Sequence, residues 1–274
     1  MRIQQKDGWH DFLSDYDYTS NLGRDRWAWE WLRRNPVFRK AAFAHPVEDI
    51  STRETCYGIR IRKLRAAQPQ AEAFGLAYFP NPDLGALRAD VIWSRKTYPR
   101  PVCVQVISAE AGVVDEIFQR TVRKCRITHF TDAENHQHLL LRGAGCVLQV
   151  RVEGLSLVTL EPREMKLILD EFADWERYVK VLKRAVRVYG DDDTSTPQWS
   201  QKALQARNAL ICIDGADAGL TKLQMAEIIY GADRVREERN SKGRKLKDAM
   251  RRYCAKGEEM RAGGYVELLS SLPE

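Results

Sequence analysis

Hydrophobic positions along this chain change texture three times. Between residues 25 and 35, Trp27 and Trp31, and likewise Ala28 and Leu32, recur at four-residue spacing, which predicts a helix with those side chains on one side. Trp29 falls nearer the opposite side and is expected to be half-exposed. Pro36 closes that helix and opens another, with Asn35 as its N-cap and Phe38, Ala41 and Ala42 as apolar positions. Residues 1–73 as a whole read as a helical module. It ends on a basic run, Arg60-Ile-Arg-Lys-Leu-Arg, and a Gln/Pro/Ala-rich connection.

From residue 74 the apolar runs shorten and alternate with turn residues. Strands are expected at 75–79, 90–93, 102–107, 127–130, 138–141, 146–152 and 155–160, in a compact and largely antiparallel sheet. Glu161-Pro162 then opens a long helical pattern through Met165, Leu169, Phe172 and Trp175 to Val179 and Leu182, expected to pack on the sheet. A polar, proline-terminated stretch at 190–197 suits an exposed connection. Beyond it, helices are expected at 199–212, 221–230, 240–256 and 264–272, with Thr221 capping the second and Leu223, Ala226, Ile229 and Tyr230 on its buried side. The pattern therefore predicts an α+β protein: a helical module at 1–73, a β-rich middle domain with a long helix at 74–189, and an all-α, helix-turn-helix-like domain at 199–274.

Composition narrows the class. With 44% hydrophobic and 30% charged residues in 274, the chain reads as globular, and no apolar run approaches the roughly 18 residues of a membrane span. The first residues lack a secretory pattern, so a cytoplasmic, nucleoid-associated protein is expected. The six cysteines are dispersed without a Cys-x-x-Cys pair, which predicts reduced and mostly buried thiols. Neither a Gly-x-Ser-x-Gly elbow, a phosphate-binding Gly-Lys-Ser/Thr loop nor a dinucleotide fingerprint is present, so no enzyme activity and no cofactor are expected.

Charge is where the sequence becomes specific. The formal net charge is +6 and the pI is near 9.0. Between residues 234 and 256, Arg234, Arg236, Arg239, Lys242, Arg244, Lys245, Lys247, Arg251, Arg252 and Lys256 face only Glu237, Glu238 and Asp248. That segment alone exceeds the excess of the whole chain, so any polyanion contact belongs to it. In the 240–256 helix, Leu246, Met250, Tyr253 and Cys254 make an apolar stripe, with Lys242, Lys245, Arg252 and Lys256 mainly away from it. Lys242, Arg244 and Lys245 are assigned to base edges; Arg239, Arg251 and Arg252 to phosphates, with Lys256 in the same footprint. A solvated basic face is the plainer alternative.

Other clusters admit two readings. Trp29, with Arg33 and Arg34, is the candidate partner surface, against a packed helix with a solvated end. His129, His136 and His138 with Asp132 and Glu134 offer metal ligands, but nothing in their spacing fixes a geometry, and Asn135 marks a turn; an exposed hairpin and no metal is the expectation. Arg120, Arg123, Lys124 and Arg126 could extend a DNA footprint or be plain surface. Asp191-Asp-Asp193 reads as linker rather than a nuclease-like metal site.

Trp27-Ala-Trp-Glu-Trp-Leu-Arg-Arg-Asn-Pro-Val-Phe-Arg39 resembles the N-terminal signature of the RovC/FseA family of bacterial transcriptional activators, which usually has Phe at the position of Trp31 and Tyr at that of Phe38. Arg261-Ala-Gly-Gly-Tyr-Val-Glu-Leu-Leu269 resembles the closing motif of the RovC-type DNA-binding domain, while Leu223-Gln-Met-Ala226 stands where the family often has Arg-Glu-Ile-Ala. The resemblance covers both ends and is closest to the FseA type. It implies a sequence-specific DNA-binding activator of promoters on double-stranded DNA, controlling excision or transfer of an integrative and conjugative element. It also implies a small antiactivator protein as partner, and RovC-like relatives imply self-association into a homo-oligomer; contact of the upstream modules with RNA polymerase is a further expectation. Two rivals remain at this stage: a DNA-processing enzyme or accessory factor delivered by its basic segment, and an assembly protein binding an acidic partner.

Overall fold

Asn35 and Pro36 set the geometry of the N-terminal helices. In a computed structural model describing residues 10–45, 50–56, 58–99, 101–109, 125–158, 163–168, 179–180, 183, 199–241 and 244–270, the Asn35 side chain accepts from the Val37 and Phe38 amides at 2.8 and 2.9 Å. It thereby caps α3 (Pro36–Phe43), whose first residue is the proline that needs no amide partner. Before it lie α1 (His10–Ser14), a 3-10 turn at Asp17–Asn21, and α2 (Arg24–Leu32). Every residue of α2 from Asp25 to Leu32 is buried. A helix enclosed on all sides shows no single apolar stripe, which is why spacing alone misjudged its Trp29.

Most of the described remainder of the expected helical module is not helical. Ile50–Glu54 and Arg60–Leu64 form strands β1 and β2, so the basic run at 60–65 is largely strand. A short α4 (Pro69–Glu72) follows. The sheet is completed by β3 (Val102–Ser108), β4 (Arg126–Thr131), β5 (Gln137–Gly143), β6 (Cys146–Gly154) and β7 (Arg163–Ile168), in the order β1-β2-β4-β5-β6-β3-β7. Only the β2–β4 and β3–β6 pairings are parallel, so the sheet is largely antiparallel as expected.

Three expectations fail here. Residues 163–168 pair antiparallel with β3, Met165 opposite Val106, rather than opening a helix; the rest of that expected helix and the 190–197 connection lie mostly or wholly outside the described residues. Residues 155–158 are bends, not a strand. The runs at 75–79 and 90–93 touch through one bridge, Leu76 to Trp93, without joining the sheet. Their apolar residues instead face two ways: Tyr78 and Ile92 pack on one face of the sheet with Phe130 and Leu140, whereas Leu76, Phe79, Val91 and Trp93 enter the helical core. The 76–93 segment is thus a layer between sheet and helices. Buried polar pairs fix it, with Gln149 Oε1 accepting from the Trp93 amide at 3.1 Å and Asp90 accepting from Arg62 and Arg142.

The C-terminal helices are α5 (Gln201–Asp217), α6 (Lys222–Tyr230), α7 (Ala232–Asn240), α8 (Lys245–Ala262) and, after a 3-10 turn at Gly264–Val266, α9 (Glu267–Ser270). Their buried residues Ile211, Met225, Met250, Met260 and Tyr265 belong to the same core as Trp29, Trp31 and Phe38. Residues 199–270 and the N-terminal helices therefore share one hydrophobic interior. Four of the six cysteines are buried and all six are free, matching the expectation for thiols. Among the described residues, no helix is long and apolar enough to cross a membrane.

Candidate nucleic-acid interface

Helix α6 begins with a capping box. Thr221 Oγ1 accepts from the Gln224 amide at 3.3 Å, and the Gln224 side chain accepts from the Thr221 amide at 2.9 Å. Met225, Ala226, Ile228 and Ile229 bury its inner side. Leu223, assigned to that side from sequence, is instead 41% exposed, and Met225 takes the inner position. The helix stops at Gly231, whose φ of 86° is costly for any residue with a Cβ. That turn launches α7, a helix absent from the sequence reading because its only buried residue is Val235.

One buried residue gives no periodicity to detect. It also leaves nearly the whole of α7 presented to solvent. Asp233, Arg236, Glu237 and Asn240, spaced three and four apart, share its outward side, with Arg234 and Arg239 on the flanks. The Arg234 guanidinium lies 5.2 Å from the Tyr230 ring centroid, tying the flank back to α6. Glu238 points the other way, and its carboxylate accepts from the Leu246 amide at 2.9 Å, capping α8 near its N-terminus. A buried-sided helix, a glycine turn, an exposed short helix and a long supporting helix follow one another.

The cations picked from sequence divide among four places. Arg239 ends α7, and Arg244 and Lys245 stand exposed where α8 begins. Lys245, Arg252 and Lys256 lie on one stripe of α8, at spacings of seven and four, and the last two face a cleft against α2. Arg251, also exposed, projects from a different side of α8. Lys242 lies outside the described residues, as do Arg120, Arg123 and Lys124; Arg126 is exposed on β4. Leu246 and Met250 bury the apolar stripe of α8 as expected, with Tyr253 and Cys254 half-buried beside it.

The expected partner surface is interior. Trp29 is fully buried, its indole Nε1 donates to the Leu84 carbonyl at 3.0 Å, and its ring meets Phe38 edge-on at 5.6 Å. Arg33 and Arg34 enclose the buried Glu30, at 2.6 Å each. Arg34 also reaches α5, donating from Nε and Nη2 to the two carboxylate oxygens of Asp214 at 2.7 and 2.8 Å, and Tyr16 donates to the same carboxylate at 2.7 Å. Burial alone would raise the Asp214 and Glu30 carboxyls, but the neighbouring guanidiniums hold both below the ordinary carboxylate value. Burial, then Asp214, raises the Tyr16 hydroxyl well above its usual value. Arg34 binds a partner only in the sense that the partner is the chain's own α5, while Arg33 pairs within α2.

The closing motif is a joint as well. Arg261 pairs with Asp217 at 2.9 Å and with Glu258 at 2.7 Å, and its carbonyl accepts from Asn35 Nδ2 at 2.9 Å. Gly263 takes a φ of 144°, turning the chain so that buried Tyr265 donates to the Phe74 carbonyl at 3.1 Å and packs 6.1 Å from Trp93.

The hairpin histidines lie on β4, β5 and the turn between them, and His129 and His138 are buried rather than on the exposed hairpin expected. Asp132, Glu134 and His136 bring one ligand atom each within 4.8 Å of one another. Asp132 is already engaged in the turn, accepting from the His136 amide at 2.7 Å and lying 3.0 Å from its Nδ1.

Comparison with known families places this geometry. Residues 169–270 match the family model described as T6SS, Transcription factor, DNA binding domain. Residues 9–55 match the model of the proteobacterial transcriptional regulator-like domain. The two matches support a DNA-binding transcriptional regulator. No curated protein matches the chain. The first match spans the whole of α5 to α9, and the second contains α2 and α3, so the joint described above lies between the two matched segments.

Proposed function

We propose that this chain is a sequence-specific transcriptional activator that enters the major groove of double-stranded DNA with α7, steadied by α6 and α8 in the manner of a helix-turn-helix unit. The carrying observation is the exposure of α7: a helix with Val235 as its one buried residue, behind a glycine turn, within a segment matching a DNA-binding-domain model. Arg236 and Asn240 have the chemistry to bond guanine and adenine edges, and Glu237 that to accept from cytosine. Arg234, Arg239, Arg244, Lys245 and Arg251 flank that face and serve phosphates. Acidic residues on the outward side of α7 favour base readout there over simple phosphate neutralisation. Arg252 and Lys256 sit farther along α8, at the edge of the footprint.

Two remaining features of the reading rest on resemblance to FseA-type regulators. These are activation of genes for excision and transfer of an integrative and conjugative element, and control by a small antiactivator protein. Action as a homo-oligomer rests on resemblance to RovC-like relatives, and contact of the upstream modules with RNA polymerase is a further part of the reading.

Selection of bound sequences from a random duplex library by the full chain tests the core claim and reveals half-site symmetry. Enrichment of one motif is expected. On that motif, Arg236→Ala costs about 1–3 kcal/mol and relaxes one base position, whereas Lys245→Ala weakens all sequences alike and lowers the salt slope by about one. Binding without enrichment, or with Arg236→Ala indistinguishable from Lys245→Ala, overturns the reading. Transcription from the selected site in a reporter strain separates activation from repression.

A further inference from the structure

A cleft of about 780 Å³ separates the N-terminal helices from the C-terminal bundle. Its floor is apolar and aromatic, formed by the buried Leu22, Trp27, Trp31 and Met260. The Trp27 and Trp31 rings lie 6.3 Å apart and nearly parallel, at 26°, and half-buried Tyr253 closes one side. The rim carries Arg24 from α2, Lys202 from α5, and Arg252 and Lys256 from α8, against one carboxylate among the lining residues, Glu267. The Lys256 ammonium pairs at 2.7 Å with Glu259, an exposed contact that an incoming anion can exchange at little cost.

These features specify a ligand class. The volume lies within the range of small-molecule sites, which are mostly apolar with a few placed polar groups. Trp27 and Trp31 suit a planar aromatic body. Arg252 and Lys256, one turn apart on α8 and both lining the cleft, suit a carboxylate, sulfonate or phosphate on that body. The site is also placed for control. Arg252 and Lys256 share their stripe of α8 with Lys245, and α8 is the helix whose start is capped by Glu238 of α7.

We propose that the cleft binds an anionic aromatic small molecule as an effector, and that its occupancy lowers affinity for DNA. The anion engages Arg252 and Lys256, removing positive charge from α8. Reduced DNA affinity rests on the DNA-binding reading above; ligand binding itself does not.

The probe is 8-anilinonaphthalene-1-sulfonate, an anionic aromatic dye, titrated into the full chain at physiological salt with tryptophan-to-dye energy transfer as the readout. A single saturable site is expected, with uncharged 1-anilinonaphthalene binding at least tenfold more weakly. Gln205, exposed on α5 and part of the lining, sets the sign of the test. Gln205→Glu weakens the dye about fivefold and Gln205→Lys tightens it, with unaltered circular dichroism and melting. Ala206→Trp fills the cleft from α5 and abolishes saturable binding, leaving DNA affinity in the absence of dye unchanged. Saturating dye weakens DNA binding of the parent chain about tenfold, in the range of ordinary coupling between sites, but not that of Ala206→Trp.

Dye binding at many sites, or equally in all three variants and with the uncharged analogue, overturns the site. One-site binding that leaves DNA affinity untouched overturns the control and keeps the site. Failure of the chain to bind DNA without dye refutes the DNA-binding reading, while the cleft is still judged on the dye titration alone.

Discussion

Replacing Arg34 tests whether the two family-matched segments act as one body. Arg34→Met keeps the length and apolar stem of the side chain while removing both hydrogen bonds to Asp214, at 2.7 and 2.8 Å, and those to the Glu30 side chain and carbonyl, at 2.6 and 2.7 Å. The Arg34 and Asp214 side chains are 8% and 20% exposed, so solvent screens the pair little. Breaking a buried pair by removing one partner costs about 3–5 kcal/mol. Here each orphan keeps a partner, Tyr16 for Asp214 and Arg33 for Glu30, which places the expected cost near the bottom of that range, about 3 kcal/mol. Asp214→Leu should cost a similar amount and the double variant less than the sum, giving a coupling of about 2 kcal/mol. Urea denaturation followed by tryptophan fluorescence and by far-ultraviolet circular dichroism reads these values. In the parent chain the two transitions coincide, because Trp27, Trp29 and Trp31 report on α2 while the helical signal includes α5 to α8. The sign with pH is fixed by the depressed Asp214 value: the stabilisation is present above the ordinary carboxylate pKa and fades as pH falls through the folded one. The parent's advantage over Asp214→Asn therefore shrinks in acid. A coupling below about 0.5 kcal/mol would put the pair with ordinary surface bridges and refute the buried joint.

Further outcomes follow from single contacts. Glu238→Ala removes the side chain that caps α8 and should cost about 1 kcal/mol by urea midpoint. A Cβ on Gly257 would stand 2.9 Å from the Ala209 carbonyl and from Ile213 Cγ1, so Gly257→Val overpacks the α5–α8 contact by about 1–3 kcal/mol, read as a lowered melting temperature. Burial lowers the His129 and His138 pKa values, so both are neutral in the fold and protonate more readily when unfolded. Stability is thus full above the ordinary histidine pKa and declines as pH falls toward the folded values, and His129→Gln should flatten that decline in urea midpoints taken between pH 7.5 and 5.5. A fragment of residues 199–274 should bind an apolar-surface dye at many sites and show a broad thermal transition, since its core residues pack against α2 and α3 in the full chain.

What the sequence disclosed depended on how many neighbours each element has. Asn35-Pro36 and Thr221 were legible because caps act within three or four residues. The β4–β5 and β5–β6 hairpins were legible because both faces of their strands are buried, leaving short continuous apolar runs. β1 and β2 were missed because Ile-Ser-Thr-Arg-Glu and Arg-Ile-Arg-Lys-Leu lie at one edge of the sheet, rich in exposed polar positions. Residues 163–168 were misread because Met165 and Leu167 also suit a helix, and only pairing with β3 decides. α7 escaped because it is almost wholly exposed; α2 was expected as a helix, but its near-complete enclosure hid the burial of Trp29, since periodicity assigns a buried side only to a half-buried helix.

The same contrast changes the meaning of the two end motifs. Trp29, Arg33 and Arg34 looked like a surface because tryptophan and arginine are residues of interfaces, and an interface is where they lie, although it is internal to the chain. Glu30 and Arg34 join α2 to the 76–93 layer, through the Ala86 amide at 2.7 Å, and to α5, through Asp214. Asn35 holds the Arg261 carbonyl, joining the two motifs across 226 residues, and Tyr265 of the closing motif holds the Phe74 carbonyl. A buried joint built from guanidinium–carboxylate pairs demands defined geometry, since a shifted arginine leaves a charge unpaired in the interior. Such a joint transmits position. It holds α2 to α5, Asn35 holds the last turn of α8 through the Arg261 carbonyl, and α7 is tied to α8 through Glu238. On the DNA-binding reading, the permanent contacts of these helices belong at that joint rather than on the surface of α7, because a face that must stay open for DNA is the one place where a permanent contact cannot be built.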